Sequence, residues 1–101
     1  MSKITNSASG KRCTMRIENV CNGNPATTVW CHIRSIRYGA GKGIKPPDLI
    51  GLYGCSDCHD ALDKRTRKDK TGKLLDYEFV KLRALEGHLE SLMILWEEGV
   101  I

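Results

Sequence analysis

The chain has 101 residues, which is enough for one small domain and too few for two independent catalytic units. Hydrophobic residues account for 41% and charged residues for 28%, which excludes a wholly disordered chain, and no apolar run approaches the roughly 20 residues that a membrane span needs. The net charge of +4 is unevenly divided: residues 1–73 carry 14 Lys and Arg against 6 Asp and Glu, whereas residues 74–101 carry 2 against 6, so a surface for polyanions is expected on the first part alone.

The N-terminal part is predicted to begin loosely and then to form a strand. Residues 1–11 are rich in Ser, Asn, Lys and Gly and are typical of a flexible basic arm. Residues 22–25, Asn-Gly-Asn-Pro, are typical of a turn. The β-branched and aromatic residues over 27–33 then predict a strand that ends near His32.

A loop, a second strand and a helix are predicted next. Residues 38–47 combine glycine, lysine and proline and predict the loop, and residues 49–53 predict the strand. The helix is expected to start between Ser56 and His59 and to run towards Arg67, before a charged break over residues 68–73. This order predicts a ββα core over about residues 27–67, within a single domain that spans residues 12–101.

The C-terminal segment has the clearest periodicity. Five large apolar residues recur at steps of three and four: Leu82, Leu85, Leu89, Leu92 and Trp96. This spacing is that of one helix face, and it predicts a helix from about Asp76 to Glu98. We expect this face to pack over the small domain. The alternative is a partner surface, for example in a homodimer, because the stripe is large for so small a body.

The chain contains five cysteines: Cys13, Cys21, Cys31, Cys55 and Cys58. Their odd number, and a first thirty residues without a secretory apolar region, favour metal ligation in a reducing, cytoplasmic compartment over a disulfide framework. Cys55 and Cys58 have the separation of a zinc knuckle. Cys13 and Cys21 are farther apart than a usual ligand pair, but a short hairpin could bring them together. Cys31 is interpreted as a small buried hydrophobic residue on a strand.

Two histidines and an aspartate indicate a catalytic site in addition to the cysteine site. On the helix after the knuckle, His59 and Asp63 lie four residues apart, so they share one face and can hold one divalent cation. His32, at the end of the first strand, is a candidate general base that takes a proton from water. The pattern predicts an α+β fold in which zinc stabilises a ββα unit that holds a separate catalytic ion, and a C-terminal helix packs on it.

Each of these residues also has an ordinary structural interpretation. A histidine at a strand end can be held only by hydrogen bonds, His59 could support the knuckle or ligate its zinc, and Asp63 could simply be solvated. Asp60 is interpreted as a charge near the positive end of the helix dipole. His88, in the C-terminal helix, is interpreted as a surface or core residue.

Four segments in order resemble a known family: Arg16-Ile17, Val20–Pro25, Gly43–Leu49 and Cys55–Asp60. Together they are similar to the small prophage-encoded YbcO-like nucleases. More broadly, the cysteine pairs, the run Val29–Ile33 and the pattern Cys-Ser-Asp-Cys-His resemble the HNH superfamily of ββα-metal endonucleases. The likeness covers roughly residues 11–67 and implies a phage or prophage origin in a bacterial host.

The resemblance implies a role for each matching position. His32 lies where the superfamily has its general base, and His59 and Asp63 lie where it has metal ligands. Asp48 is the substitute for its central asparagine, whereas Cys31 replaces the His or Asp that commonly precedes the base. Four cysteines match the structural zinc set of the cysteine-containing branch: Cys13, Cys21, Cys55 and Cys58.

Basic residues surround both predicted motifs. Those after the first strand are Arg34, Arg37, Lys42 and Lys45, and those after the helix are Lys64, Arg65, Arg67 and Lys68. Such clusters neutralise the phosphates of a nucleic acid, although a run of charges can also be an ordinary solvated surface. Because no base-recognition motif is present, binding is expected through the nucleic-acid backbone and its shape.

The sequence therefore predicts a metal-dependent endonuclease that hydrolyses phosphodiester bonds in nucleic acid, DNA in particular. His32 would activate water, and a divalent ion such as Mg²⁺ on His59, Asp63 and Asp48 would stabilise the charge that develops. The missing asparagine and Cys31 favour a different class, a non-catalytic zinc-binding module for nucleic acid or protein. A third possibility is a structural zinc adaptor whose helix recruits a partner.

Overall fold

The computed structural model describes residues 3–34 and 47–101 and shows a small α+β fold. Its elements are α1 (Lys3–Asn6), β1 (Val29–His32), β2 (Gly51–Gly54), α2 (Ser56–Leu62) and α3 (Tyr77–Glu97). The predicted order of strand, strand and helix is observed. β1 is shorter than predicted because residues 25–27 form a 3₁₀ turn before it. None of the helices in the described part is long and apolar enough to cross a membrane.

β1 and β2 form a two-stranded antiparallel sheet, and hydrogen bonds from β2 to other segments stabilise it. The register pairs Trp30 with Tyr53 and His32 with Gly51. On the outer edge of β2, the Tyr53 carbonyl accepts hydrogen bonds from the amide and hydroxyl of Thr14, at 2.8 and 2.7 Å. The Tyr53 amide donates to Ser91 Oγ at 3.0 Å. Since an isolated two-stranded sheet is marginally stable, these bonds to the N-terminal segment and to α3 are what secure it.

α3 packs on the sheet mainly through small side chains. Its buried positions are Val80, Ala84, Gly87, Ser91 and Leu95. A Cβ atom at Gly87 would lie 2.7 Å from Thr14 Oγ1 and 3.3 Å from a methyl carbon of Leu52. Only glycine therefore allows α3 to approach β2 and the N-terminal segment this closely.

The prediction that the leucine stripe of α3 packs over the domain is wrong, although the helix bounds agree to within a residue. Leu82, Leu85 and Leu89 are 52%, 53% and 53% exposed, and Trp96 is 69% exposed, whereas Leu92 is half-buried. α3 has two apolar faces, one of small residues and one of leucines. The face of small residues packs on the sheet, because the backbone of the sheet lies too close to α3 to leave room for leucine side chains.

The prediction of a flexible arm over residues 1–11 is wrong for residues 3–11, the part that the structure describes. Residues 3–6 form α1, and Ala8 is buried against Trp30, Tyr53 and Leu95. The Ser7 hydroxyl lies 2.7 Å from the Tyr53 hydroxyl. Composition suggested a loose arm, but Ala8 packs into a small second core whose other residues come from the sheet and from α3.

The main core encloses the cysteines. It joins the segment before β1, the sheet, and the helices α2 and α3. Its residues include Met15, Ile17, Val20, Leu52, Leu62 and Val80. Cys13, Cys55 and Cys58 belong to the same buried cluster. A metal ion at these sulfurs would therefore lie where the core elements meet.

α2 ends earlier than the predicted limit near residue 67, at Leu62. The chain leaves it through a left-handed residue, Lys64, with φ of 61°, and the amide of Arg65 donates to the carbonyl of Asp60 at 2.8 Å. This Schellman turn reverses the chain without the glycine that is usual there, so no local signal marks it in the sequence. As a result, Arg65 folds back onto α2.

Candidate functional site

Four cysteines form a compact cluster, as predicted. The sulfurs of Cys13, Cys21, Cys55 and Cys58 all lie within 4.8 Å of one another, and those of Cys21 and Cys55 are 3.8 Å apart. In a tetrahedral zinc site, Zn–S bonds of about 2.3 Å place neighbouring sulfurs about 3.8 Å apart. The cluster could therefore hold a metal such as zinc.

Two tight turns aim the sulfurs at one point. Cys13 and Cys55 each accept a bond at Sγ from the amide three residues later, that of Arg16 at 3.5 Å and that of Cys58 at 3.4 Å. Cys21 is brought back by a further turn, in which its amide donates to the Ile17 carbonyl at 2.8 Å. The long separation of Cys13 and Cys21 is thus closed by turns within residues 13–21.

The loop that carries Cys13 is fixed on α3 by two arginines. The guanidinium of Arg16 donates to both carboxylate oxygens of Glu90, at 3.0 and 2.6 Å, and this interaction lowers the pKa of Glu90. Arg83 Nε donates to the Met15 carbonyl at 2.8 Å. The position of Cys13 relative to α2 therefore depends on α3.

The thiols of the cysteine cluster differ in pKa. A hydrogen bond from Cys58 lowers the pKa of Cys13 to about 4. The same hydrogen bond, together with burial, raises the pKa of Cys58, and burial raises that of Cys21. Cys13 is therefore the thiol whose deprotonation the cluster favours most among these three. A cation that binds all four sulfurs would displace the thiol protons.

Cys31 lies outside this cluster. It is fully buried on β1, its sulfur lies 3.6 Å from the Val29 carbonyl, and burial raises its pKa. A Cβ atom at Gly54 would come within 2.8 Å of the Cys31 sulfur, so this part of the sheet is closely packed. The interpretation of Cys31 as a small buried residue agrees with this position.

His32 and Asp48 form the first of two His–Asp pairs. His32 Nε2 lies 2.9 Å from Asp48 Oδ1, and both side chains are partly buried. Trp30 Nε1 donates to the Asp48 carbonyl at 2.6 Å, which fixes the backbone that presents the carboxylate. When the carboxylate accepts the Nε2 proton, Nδ1 keeps its lone pair, as a general base requires.

His59 and Asp63 form the second pair, on one face of α2. His59 Nε2 lies 3.1 Å from Asp63 Oδ2. At this distance the two side chains contact each other directly, and both imidazole nitrogen and carboxylate oxygen are atom types that bind divalent ions. Arg65 lies 3.4 Å from the same carboxylate and 3.0 Å from that of Asp60. Asp60 therefore anchors Arg65, in addition to lying near the start of the helix.

The predicted catalytic ligands do not form a single cluster. Within residues 3–34 and 47–101, the cysteine cluster is the one group of three or more metal-binding side chains that the structure gathers. Asp48 contacts His32, and the described part shows no such group that joins Asp48 to His59 and Asp63. The side chains predicted to perform hydrolysis are arranged as two separate pairs.

A groove of about 890 Å³ lies beside the second pair, between the end of β1, the end of α2 and α3. Asp63 lines it. Its apolar wall includes Ile33, Ile50, Leu62 and Ala84, and its cations are Arg34, Lys64, Arg65 and Lys81. Tyr77 also lines the groove, and Lys64 Nζ lies 4.3 Å from the centre of its ring. The groove thus joins an apolar wall to a positively charged rim.

His88 also lines this groove, a position that sequence reasoning did not assign. Its Nδ1 lies 2.6 Å from the Gly51 carbonyl and donates to it, which leaves Nε2 as an acceptor. The one available signal was its spacing of four residues from Ala84 and seven from Lys81, which places all three on one side of α3. In the folded protein, that side of α3 lines the groove.

The predicted nucleic-acid-binding residues are spread over several places. Arg34, Lys64 and Arg65 line the groove. Arg67 and Lys68 are exposed on the following segment, which folds back on itself through a bridge between Lys68 and Leu74. The other three predicted residues, Arg37, Lys42 and Lys45, lie outside the described residues.

The fold and the cysteine cluster define a small α+β protein with a four-sulfur site that could hold a metal. Among known protein families, the family model described as "Putative nuclease YbcO" matches residues 2–100 of this chain. The chain therefore belongs to the YbcO family, and the resemblance seen in its sequence is confirmed at that level. The name of the family indicates nuclease activity for its members.

Individual relatives agree with this assignment. The chain is 44% identical over 101 residues to "Putative nuclease YbcO" of Escherichia coli (strain K12), covering 100% of this chain and 98% of that protein. The same values hold for "Putative nuclease ybcO" of Enterobacteria phage 82. A solved structure, described as "Structure of a putative bacteriophage protein from Escherichia coli str. K-12 substr. MG1655", matches with a TM-score of 0.76 and 43% identity, over 94% of this chain and 98% of that one.

Proposed function

We propose that the protein is a zinc-stabilised, metal-dependent endonuclease of the HNH, or ββα-metal, type that hydrolyses phosphodiester bonds in DNA. The observation that carries the proposal is the His32–Asp48 pair, with Nε2 and Oδ1 2.9 Å apart at the end of β1. A second His–Asp pair stands on α2, the helix that completes the ββα unit. The family name gives independent support for nuclease activity.

In the proposed mechanism, His32 acts as the general base. Asp48 holds its ring and stabilises the positive charge that appears on it, while Nδ1 takes a proton from water. The resulting hydroxide attacks phosphorus, and the P–O bond to the leaving sugar oxygen breaks. Asp48 thus serves as a positioning residue in place of the asparagine that is central to the HNH superfamily.

His59 and Asp63 would hold one divalent ion such as Mg²⁺. When bound, this ion stabilises negative charge on the phosphoryl and leaving oxygens. Both side chains lie on one face of α2, with Nε2 of His59 and Oδ2 of Asp63 3.1 Å apart, so both would face the same ion. Arg65 lies 3.4 Å from Oδ2 of Asp63 and restrains the rotamer of that carboxylate.

The groove beside Asp63 is the proposed path of the substrate strand. Its cations can contact phosphates, while the apolar wall faces sugars or bases. Arg65 is partly neutralised by Asp60 and Asp63, and Lys81 by Glu78. Arg34 and Lys64 therefore carry more of the attraction. The absence of a base-recognition motif from the sequence supports binding through the nucleic-acid backbone.

Zinc is proposed as the ion of the cysteine cluster, with a structural role. Cys55 and Cys58 begin α2, so zinc would fix the helix that presents His59 and Asp63. The relatives from a phage and from a bacterium support a phage or prophage origin. We accordingly propose action on DNA in the bacterial cytoplasm.

A non-catalytic zinc module that binds nucleic acid or protein is the second candidate function. It is favoured by one observation: in the described part of the chain, the cysteines alone form a cluster of three or more metal-binding side chains. In that case His59, Asp63 and Arg65 would form a purely structural ion-pair network.

Nicking of supercoiled plasmid DNA in Mg²⁺ or Mn²⁺ tests the proposal. Wild type and Val29→Ala, a change at the exposed far end of β1, are expected to nick the plasmid, and His32→Ala is expected to be inactive with unchanged zinc content. If wild-type protein with a full complement of zinc binds DNA but does not cut it in either metal, the non-catalytic module is correct. If His32→Ala cuts at the wild-type rate, His32 is not the base.

A further inference from the structure

α3 has a second apolar face that the described part of the domain, residues 3–34 and 47–101, does not cover. It consists of Phe79, Leu82, Leu85, Leu89, Met93 and Trp96, which we call the outer stripe, and these side chains are 47–69% exposed. The buried face of α3, which includes Ala84 and Ser91, lies on the other side of the helix. A helix that is apolar on both sides is typical of an element covered on both sides, and monomers rarely expose so long an apolar patch.

We propose that the outer stripe binds the same stripe of a second copy of this chain, with the two α3 helices parallel. The spacing supports this occupant: Leu82, Leu89 and Trp96 fall at the first position of successive heptads, and Leu85 and Leu92 at the fourth. These are the positions that form the seam of a two-stranded coiled coil. Leu92, half-buried, lies at the border between the seam and the protein's own core.

Charge complementarity favours a second copy and sets its direction. Lys81 and Glu86 flank the seam, at the seventh and fifth heptad positions, and both are exposed. In a parallel pair, the seventh position faces the fifth position of the following heptad in the other helix. Lys81 of each copy would therefore face Glu86 of the other, twice per dimer. An antiparallel pair would bring the two copies of Glu86 together.

The ion pair that Lys81 makes within its own helix does not prevent it from pairing with Glu86 of a second copy. Its ammonium lies 3.1 Å from Glu78 of the same helix, with both side chains largely exposed, and such a pair contributes little. The domain packs on α3 through the face that includes Ala84, Gly87 and Ser91, whereas Leu85 and Lys81 border the groove. The partner helix would therefore lie along the outer edge of that groove. The interface would be isologous and about 30 Å long, the length of a helix of 21 residues.

Sedimentation equilibrium of the zinc-loaded protein over a range of concentrations tests the surface. Wild type is expected to dimerise, and Leu82→Ser with Leu89→Ser to be monomeric. Leu74→Ser, which changes a side chain 70% exposed outside α3, is expected to remain dimeric. A wild-type monomer at the highest attainable concentration, or a dimer that survives the double change on the stripe, would overturn the proposal.

Charge exchange tests the direction, with variants at exposed positions that leave the core intact. Lys81→Glu and Glu86→Lys should each raise the dimer dissociation constant roughly tenfold, because each places like charges together twice. The double variant should restore the wild-type value. If the double variant is no tighter than the single ones, the parallel arrangement is wrong. Although Lys81 also lines the groove, both tests measure self-association without DNA, so this proposal and the nuclease proposal can each fail without the other.

Discussion

Asp48 lies 2.9 Å from His32, although sixteen residues separate them in the chain. The two meet because β1 and β2 pair with His32 opposite Gly51, and because the Trp30 indole binds the Asp48 carbonyl just before β2. An Asp–His pair with one ring nitrogen bonded and the other available is a common arrangement for proton abstraction. The site therefore depends on strand register as much as on residue type.

The first prediction separates the base from the residue that positions it. His32→Ala should lower cleavage about 100-fold or more, because it removes the proton acceptor. Asp48→Asn should have a smaller effect, because the ring of His32 stays in place while the positive charge that forms on it loses its partner. Cleavage rates at saturating substrate, with zinc content as the control, check both. Equal losses for His32→Ala and Asp48→Asn would contradict a positioning role.

The second prediction concerns the ion on α2. His59→Ala should lower cleavage and weaken its dependence on divalent-ion concentration, while DNA affinity stays nearly unchanged. Asp63→Asn should act similarly and should also remove one of the two carboxylates that Arg65 contacts. Cleavage titrated with Mn²⁺, alongside DNA binding in Ca²⁺, checks this. Full ion-dependent cleavage by His59→Ala would show that the ion is held elsewhere.

The third prediction concerns the cysteine cluster. Chelation of its metal should unfold the domain, since about 10 kcal/mol or more of binding free energy would be removed from a small core. Cys58→Ser should abolish binding of one zinc per chain. Cys31→Ala is the matched control, because Cys31 is equally buried but lies outside the cluster, and it should keep the zinc. A circular dichroism melt that is unchanged after verified removal of zinc would refute the structural role.

The fourth prediction concerns the basic residues. Arg34→Ala and Lys64→Ala should each weaken DNA binding, and each should reduce the slope of its salt dependence by about one unit for every phosphate that the variant no longer neutralises. Arg65→Ala should reduce the slope less, because Asp60 and Asp63 already neutralise much of that charge. Binding isotherms over a series of salt concentrations measure the slopes. If Arg65→Ala reduced the slope more than Arg34→Ala and Lys64→Ala did, Arg65 would be the main phosphate contact, contrary to the proposal.

The fifth prediction concerns pH and the Arg16–Glu90 ion pair. Because Arg16 lowers the pKa of Glu90 below its ordinary value of 4.5, the folded state favours the carboxylate. Its contribution is present above that ordinary value and is lost as pH falls through the lowered pKa. Both side chains are about 40% exposed, so Glu90→Gln should cost less than about 1 kcal/mol at neutral pH.

Thermal melts as a function of pH check this last prediction. The difference between wild type and Glu90→Gln should vanish in acid, below the lowered pKa. Glu18→Gln, at an exposed position outside α3, is the comparison and should follow the wild-type curve. A Glu90→Gln deficit that stays constant from neutral to acid pH would mean that packing, and not charge, explains the effect.

The sequence by itself determined the elements that local chemistry specifies. The spacing of Cys55 and Cys58 indicated a knuckle, and the step from His59 to Asp63 placed them on one helical face, since both patterns act over a single turn. The strand–strand–helix order and the bounds of α3 also followed from local patterns. The family resemblance supplied Asp48, which no spacing rule would have selected.

Only the tertiary structure decided which helix face is buried and which residues meet. α3 carries two faces of suitable spacing, and the close approach of β2 at Gly87 selected the small one and left Leu82 and Leu89 outside. The position of His88 against Gly51 likewise depends on contact between segments that are distant in the chain. Helical periodicity records that a face is apolar, but the partner that covers it is decided by shape and distance.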